Sequence, residues 1–220
     1  MKSPRRFDAV IFDMDGLMFD TEDLFFRVAD DFMIDHGSRF TETMMANMIG
    51  RRAEEAGKVF HTHGGLTHRP IDEIMTDVKN RFFRRMLFDS NTMPGLHDLL
   101  GHLERVSIPR AVATSSGRGH AEQLIGHHGL LPFFEFLVTS EDVTKGKPDP
   151  EIYLKAAGRL GLSPEKTLVL EDSVAGLHAA KSAGAFAVGV PHRFSLAANM
   201  PHADLIIDRL DSPLLIEMLF

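Results

Sequence analysis

The segment Phe7–Thr21 constrains the fold more than any other part of the sequence. It begins with the apolar run Ala9–Phe12, whose composition and lack of polar alternation predict a strand buried on both faces. The run stops at Asp13, and Asp15 and Gly16 follow at once. Carboxylates beside a buried strand are costly without a counter-charge, and glycine suits a sharp change of backbone direction. Because open α/β sheets bind ligands at the carboxyl ends of their strands, a functional site is favoured over a solvated turn.

Composition narrows the class of protein. A chain of 220 residues, 44% hydrophobic and 25% charged, is typical of a globular core with a smaller insert. The net charge of −7 and the lack of a basic run argue against nucleic acid as a partner, and the absence of cysteine excludes disulfides and zinc–thiolate sites. No apolar run approaches the roughly 20 residues of a membrane span. Acidic residues soon follow the basic start and argue against a signal peptide, so we expect a cytoplasmic protein without a membrane partner.

The chain between the first strand and about residue 91 has a helical character. Apolar residues at helical spacing predict three helices, at residues 22–36, 44–60 and 71–87. No strand pattern of comparable quality appears in this segment. We expect two domains. Residues 1–19 and 92–220 would form an α/β core, and residues 20–91 would form a helical cap.

Beyond this segment, short apolar strands alternate with helices. The predicted strands lie at residues 108–114, 136–139, 167–170, 185–190 and 205–207. The predicted helices lie at residues 96–103, 120–128, 150–160, 174–183 and 214–219. Such alternation implies right-handed crossovers and a parallel sheet covered on both faces. The predicted fold class is therefore α/β, a Rossmann-like parallel sheet core with a helical cap inserted after the first strand.

Four groups of polar residues come after predicted strands or in the loops that follow them, namely Asp13 with Asp15, Thr114 with Ser115, Lys147, and Glu171 with Asp172. In a parallel sheet these strand ends lie on one edge, so the groups would converge. Carboxylates without histidine or cysteine partners favour a hard cation bound by oxygens, and Mg²⁺ is the expected ion. Hydroxyls and backbone N–H groups at Thr114 and Ser115 can bind phosphate oxygens, and Lys147 supplies a suitable positive charge.

This set of residues suffices for phosphoryl transfer. One carboxylate can attack phosphorus, and a carboxyl group two residues away can protonate the leaving oxygen and then activate water. Simpler roles stay open for single residues, because Thr114 can cap the next helix, Asp172 can cap the helix at Val174, and Lys145 competes with Lys147. The twelve histidines are scattered. His61 with His63 and His127 with His128 lack partners at metal-ligand spacing and are interpreted as surface residues.

The sequence resembles the haloacid dehalogenase (HAD) superfamily in four motifs that occur in the family's order. The matching stretches are Asp13-Met14-Asp15-Gly16 through Asp20-Thr21-Glu22, Thr114-Ser115, Lys147-Pro148-Asp149-Pro150 and Glu171-Asp172-Ser173. The early insert and the form of the last two motifs resemble the branch that includes β-phosphoglucomutase and the sugar- or nucleotide-monophosphate phosphatases. We therefore expect a phosphatase that acts as a monomer on a small phosphorylated metabolite.

The resemblance implies a role for each core residue. Asp13 is the expected nucleophile and Asp15 the expected general acid and base, while Thr114 and Lys147 bind the phosphoryl group with Ser115 beside them. Mg²⁺ would be held by three groups in the core, the Asp13 carboxylate, the Asp15 carbonyl and the Asp172 carboxylate, with Glu171 in or next to the coordination shell. The insert would be a cap that excludes water and contacts the substrate, and the candidate substrate contacts are Arg51, Arg52, Lys79 and Ser116.

Three other functions compete with phosphomonoester hydrolysis. A dehalogenase has no use for Asp15 or for metal-binding acids. A sugar phosphate mutase stays possible because Lys79 and Ser116 resemble its residues, although Phe25 stands where the mutase carries a histidine. A non-catalytic signalling module phosphorylated on Asp13 needs no cap, so the helical insert counts against it. Mg²⁺-dependent hydrolysis is the function that the sequence favours.

Overall fold

The computed structural model describes residues 7–48, 53–195 and 200–219 of the chain. Contacts between Cα atoms divide the chain into two units, one formed by Met1–Asp20 and Thr92–Phe220 and the other by Thr21–Asn91. The first unit contains a parallel sheet, and the described residues of the second unit contain helices and no strand. The division falls one residue away from the boundary expected from the sequence.

Parallel strands form the centre of the larger unit. They are β1 (Ala9–Phe12), β2 (Arg110–Ala113), β3 (Phe136–Val138), β4 (Thr167–Glu171), β5 (Phe186–Gly189) and β6 (Leu205–Ile206). Their order across the sheet is β3-β2-β1-β4-β5-β6, and every neighbouring pair is parallel. The predicted α/β fold with a Rossmann-like sheet is therefore confirmed.

The first strand lies at the centre of this sheet. Ile11 is in register with Ala111 of β2 on one side and with Val169 of β4 on the other. All the residues of β1 are buried, which accounts for its unbroken apolar sequence. The chain adds β2 and β3 on one side of β1 and then β4, β5 and β6 on the other. The strand order thus reverses beside β1, and open α/β sheets bind ligands at such a point.

Helices account for most of the remaining described chain. The helical unit contains α1 (Thr21–Asp35), α2 (Glu42–Met48), α3 (Ala53–Thr62) and α4 (Ile71–Asp89). The larger unit contains α5 (Leu96–Arg105), α6 (Arg118–His127), α7 (Glu151–Arg159), α8 (Val174–Ala183) and α9 (Pro213–Leu219). The single helix predicted at 44–60 corresponds to α2 and α3, and residues 49–52 between them lie outside the described residues. Within the described ranges no helix has the length and apolar character needed to cross a membrane.

Helices α7 and α8 pack closely against the sheet because alanines line their contacts. Ala156 of α7 and Ala180 of α8 belong to one buried cluster with Ile11 and Val169. Tyr153 of α7, the single tyrosine of the chain, belongs to the same cluster. Burial of one large apolar side chain stabilises a fold by about 1.5–3 kcal/mol. The cluster therefore fixes the Tyr153 ring beside β4, where its hydroxyl reaches the functional residues described below.

Aromatic rings and methionines form the core of the helical unit. Phe60 of α3 stacks on Phe40 with a centroid separation of 5.4 Å and meets Phe32 of α1 edge-on at 5.9 Å. Met44 and Met45 of α2 are also buried. Such edge-on and stacked ring pairs add about 0.5–1.5 kcal/mol beyond the burial of their area, and methionine adapts to irregular gaps. The methionine-rich sequence of the insert therefore serves its core packing.

Candidate active site

Asp13 lies at the carboxyl end of β1, where the strand order of the sheet reverses. Its backbone N–H donates to the Leu170 carbonyl at 3.0 Å, which continues the pairing of β1 with β4 by one residue. Gly16 then adopts a φ of +79°, a conformation that residues with side chains rarely take. The resulting turn brings Asp15 to the loop after β2, where its Oδ2 accepts a hydrogen bond from Ser116 Oγ at 2.7 Å.

Lys147 supplies the positive charge of the site. Its Nζ donates to Asp13 Oδ1 at 2.5 Å, to Glu171 Oε1 at 2.6 Å and to the Ala113 carbonyl at 3.1 Å. The Lys147 side chain is only 6% exposed, whereas Lys145 is exposed at the surface. Of the two candidate lysines, the structure therefore brings Lys147 and not Lys145 to the carboxylates.

Glu171 is fully buried and receives hydrogen bonds on both carboxylate oxygens. The Tyr153 hydroxyl donates to Oε1 at 2.5 Å, and the Ser173 N–H and hydroxyl donate to Oε2 at 3.1 and 2.9 Å. Ser173 is also the N-cap of α8, because its Oγ accepts the Gly176 N–H at 3.0 Å. Asp172 is therefore not the cap of this helix. Glu171 connects the site lysine to two helices.

Three buried carboxylates could together hold a metal ion. One oxygen from each of Asp13, Glu171 and Asp172 lies within 4.8 Å of the others. Asp172 Oδ2 also lies 2.9 Å from His192 Nε2. A closely spaced set of oxygen donors is the kind of site that Mg²⁺ prefers in proteins. The donor chemistry of the cluster therefore fits the expected ion.

Burial and charge shift the pKa values of this cluster. Burial raises the pKa of Asp13 well above its ordinary value, and the charges of Glu171 and Asp172 raise it further against the opposing charge of Lys147. Burial by itself lowers the pKa of Lys147, but the charges of Asp13 and Glu171 outweigh it and leave that pKa well above its usual value. Lys147 thus keeps its proton while Asp13 resists ionisation. A divalent cation beside these carboxylates would offset the excess negative charge.

Thr114 follows the last residue of β2 and is buried. Its Oγ1 accepts the Ser116 N–H at 3.0 Å, which closes a tight turn. The next helix begins at Arg118 after Gly117, without a side-chain cap, so Thr114 does not cap it. The hydroxyl hydrogen of Thr114 can then donate to a phosphoryl oxygen, because the turn uses this hydroxyl only as an acceptor. Ser115 is exposed beside it.

Three residues of the site were not identified from the sequence. Tyr153 holds Glu171, His192 contacts Asp172, and the Nε2 of His120 lies 3.5 Å from Asp15 Oδ1. The scattered histidines gave no signal for a site, yet the side chains of His120 and His192 are only 11% and 7% exposed. His192 could have been found by the rule used for the other groups, since it follows the end of a strand at the same edge.

The expected substrate contacts have different outcomes. The Ser116 hydroxyl is bound to Asp15 in the larger unit. Lys79 belongs to the helical unit, where it borders a groove of about 310 Å³ together with Phe25, Met75, Thr76 and Phe82. Arg51 and Arg52 lie outside the described residues. Lys79 is therefore the candidate substrate contact of the helical unit for which the structure describes the surrounding groove.

The fold and this group of residues define a known class of protein. The family model of the haloacid dehalogenase-like hydrolases matches residues 10–190, and the chain belongs to that family. The resemblance found in the four sequence motifs is therefore confirmed.

Relatives within the family include both phosphatases and a mutase. A phosphorylated carbohydrates phosphatase of Thermotoga maritima is 34% identical over 80% of this chain and 82% of its own. A β-phosphoglucomutase of Bacillus subtilis is 33% identical over 96% of this chain and 93% of its own. The crystal structure of an HAD family hydrolase from Deinococcus radiodurans, with bound phosphate and sodium, has a TM-score of 0.81 and 26% identity, covering 93% of this chain and 92% of the other.

Proposed function

We propose that this HAD-family phosphatase hydrolyses small phosphomonoesters of the sugar phosphate or nucleoside monophosphate type, through an aspartyl-phosphate formed on Asp13. One observation carries the proposal. Lys147 binds Oδ1 of Asp13 at the sheet edge, and within the described part of the chain no hydrogen bond reaches Oδ2. The second oxygen is therefore the one available to attack phosphorus. The similarity to a carbohydrate phosphate phosphatase supports the substrate class.

In the first step, Asp13 Oδ2 forms a bond to phosphorus while the bond from phosphorus to the ester oxygen breaks. Asp15 gives its proton to that departing oxygen, which leaves as an alcohol. The Lys147 ammonium offsets negative charge on the phosphoryl group, and the Thr114 hydroxyl donates a hydrogen bond to it. The Ser116 hydroxyl, 2.7 Å from Asp15 Oδ2, holds the acid in place.

In the second step, water hydrolyses the aspartyl-phosphate. Asp15, now ionised, takes a proton from the water as its oxygen attacks phosphorus, and the bond between Asp13 and phosphorus breaks. Inorganic phosphate leaves, Asp13 is again a carboxylate, and Asp15 again carries its proton. Asp15 thus needs a fixed position in both steps, and Ser116 and His120 lie next to its two oxygens.

The proposal includes Mg²⁺, held by Asp13 and Asp172 with the backbone carbonyl of Asp15. When bound, the ion supplies positive charge that neutralises the phosphoryl group and the carboxylates around it. Asp13 must be ionised to attack phosphorus, and since burial raises its pKa, a divalent cation beside it would favour the ionised form. Glu171 lies next to the coordination shell, where its protein partners make it a support for Lys147.

The helical unit of residues 21–91 is proposed to act as the cap. Caps of this kind exclude water and contact the part of the substrate that does not react. The groove beside Lys79 combines one positive charge with apolar side chains. Such a lining suits a small organic group that carries a further hydroxyl or an anionic substituent.

A sugar phosphate mutase is the second candidate function, and the identity of 33% to a β-phosphoglucomutase favours it. A mutase must protect its aspartyl-phosphate from water until the second phosphate is in place. Phe25 borders the groove of the helical unit and can neither donate a hydrogen bond nor orient Asp15. Hydrolysis is therefore the preferred proposal.

A panel of phosphorylated metabolites, scored by released phosphate, tests the proposal. We expect excess chelator to abolish release and Mg²⁺ to restore it, with Ca²⁺ a poor substitute because it prefers more ligands at longer distances. Asp172→Ala should raise the Mg²⁺ concentration required, whereas Asp98→Ala, at an exposed position in α5, should leave it unchanged. Unchanged release in excess chelator would contradict the metal dependence.

A further inference from the structure

His192 lies in a turn that follows β5 and closes on itself. Its backbone N–H donates to Ser195 Oγ at 3.0 Å, and the Ser195 N–H donates to the His192 carbonyl at 3.0 Å. The imidazole is only 7% exposed. The turn thus holds a ring that is nearly buried, at the same edge of the sheet as the carboxylates.

The hydrogen bonds of the ring fix the position of its proton. The Phe194 N–H donates to His192 Nδ1 at 3.1 Å, so Nδ1 acts as an acceptor. A neutral imidazole then carries its hydrogen on Nε2. Nε2 lies 2.9 Å from Asp172 Oδ2 and donates to it. The turn therefore aims an N–H group at one oxygen of Asp172.

Gly16 provides the space for this pair. A Cβ atom at this residue would collide with Asp172 Oδ2 and would lie 3.2 Å from His192 Nε2. The positive φ of Gly16 also disfavours a side chain at this position. Three segments therefore pack around the hydrogen bond between His192 and Asp172. They are the turn after β1, the end of β4 and the turn after β5.

We propose that His192 is a positioning residue that orients Asp172 for Mg²⁺. The inference rests on the proposed metal-dependent function and adds a residue to it. The ring N–H holds Oδ2, which sets the rotation of the carboxylate and the direction in which its other oxygen faces. It also stabilises the buried anion when no metal is bound. Removal of such a partner of a metal ligand commonly weakens metal affinity by about 10–100-fold.

Calorimetric titration of the whole chain with MgCl₂, without substrate, tests the inference. His192→Phe keeps an aromatic ring but removes both nitrogens, and it should raise the Kd for Mg²⁺ by about 10–100-fold. His192→Gln retains an N–H donor and should recover part of the loss. His97→Ala, at an exposed position in α5, is the matched control and should bind as the wild type does.

The titration separates the inference from the proposed function. Equal Kd values for the wild type and His192→Phe would overturn the role of His192 and leave the metal dependence intact. Failure of the wild type to bind Mg²⁺ would overturn both. Circular dichroism in chelator establishes that each variant is folded, and His192→Ala replaces His192→Phe if the latter does not fold.

Discussion

Lys147 contacts two buried carboxylates with a single positive charge. Its Nζ lies 2.5 Å from Asp13 and 2.6 Å from Glu171, and Asp172 lies beside them. Loss of one partner of a buried ion pair typically costs about 3–5 kcal/mol, because the remaining charge is uncompensated. The arrangement thus secures Lys147 in its charged form and leaves a negative excess that suits a cation. The charge of that cation would in turn favour a phosphoryl group.

Glu151 makes the stability of the loop that contains Lys147, residues 144–150, depend on pH. Its carboxylate pairs with Lys155 and accepts hydrogen bonds from the backbone and hydroxyl of Thr144 and from the Lys145 N–H. These contacts, the Lys155 contact foremost, lower the pKa of Glu151 from 4.5 to about 2. A lowered pKa means that the carboxylate stabilises the folded state above pH 4.5 and that this stabilisation is lost as the pH falls towards 2.

We therefore predict that Glu151→Gln lowers the urea midpoint at pH 7 and that its difference from the wild type shrinks steadily below pH 4.5. Urea denaturation across this pH range measures the difference. Glu165→Gln, at an exposed position outside this loop, should change the midpoint little. A difference for Glu151→Gln that stays constant down to the lowest pH would contradict the prediction.

Most of the residues proposed for the chemistry could be predicted from the sequence, because a carboxylate that directly follows an apolar strand can be recognised there. Asp13 and Asp172 stand out for this reason. Tyr153 does not, since a tyrosine at helical spacing looks like core. His192 is found only when the rule for strand ends is extended from carboxylates to histidine. Only the packing of α7 on the sheet brings the Tyr153 hydroxyl to Glu171.

At the junction between β4 and α8, one serine both caps the helix and binds a carboxylate of the candidate site. Ser173 accepts the Gly176 N–H as the helix cap and donates to Glu171 Oε2 through the same hydroxyl. Gly176 leaves room for Glu171, because a Cβ atom there would collide with the carboxylate. The N-cap residue of α8 therefore holds Glu171, which in turn binds Lys147.

We predict that Ser173→Ala destabilises the fold by about 0.5–2 kcal/mol, the usual cost of losing an N-cap side chain. Ser173→Thr keeps the hydroxyl and should retain most of the stability. Equilibrium denaturation in urea compares the three proteins. A Ser173→Ala protein as stable as the wild type would contradict the role of this junction.

The ends of helices and strands were predictable where the sequence marks them with a strong local signal, such as a glycine. The bounds of β1 and of α8 are as predicted, and α8 is capped at its C-terminus by Gly184, with a φ of +93°. Helix α4 extends two residues beyond the predicted end at 87, since the backbone continues to Ser90, whose hydroxyl binds the Met86 carbonyl at 2.6 Å. Apolar spacing marks the buried face of a helix and does not report such a cap.

At the scale of the whole molecule, the residues proposed for chemistry belong to one unit and Lys79 to the other. The relatives include one named as a phosphatase and one named as a mutase. In the proposed function, a few side chains of the helical unit contact the substrate, and their positions do not follow from sequence patterns. This is why the reaction class was predictable and the particular metabolite was not.

We predict phosphate release from small phosphomonoesters without a bisphosphate activator, and no conversion of β-glucose 1-phosphate to glucose 6-phosphate. The prediction follows from the proposed function, because the Phe25 ring has no polar group with which to protect the intermediate from water. Both products can be followed in one incubation with that sugar phosphate. Isomerisation faster than phosphate release would make the protein a mutase.

Chemical trapping of the phosphorylated enzyme tests the central claim most directly. Borohydride reduces an acyl phosphate to an alcohol, so a phosphorylated aspartate becomes homoserine and is identified by peptide mass spectrometry. With substrate and Mg²⁺ present, we predict homoserine at position 13 in the wild type. Asp15→Asn should slow turnover by about 10²–10⁴, because both formation and breakdown of the intermediate need Asp15. Asp13→Asn should give no homoserine. Turnover with an unmodified Asp13, or trapping at another residue, would contradict the account.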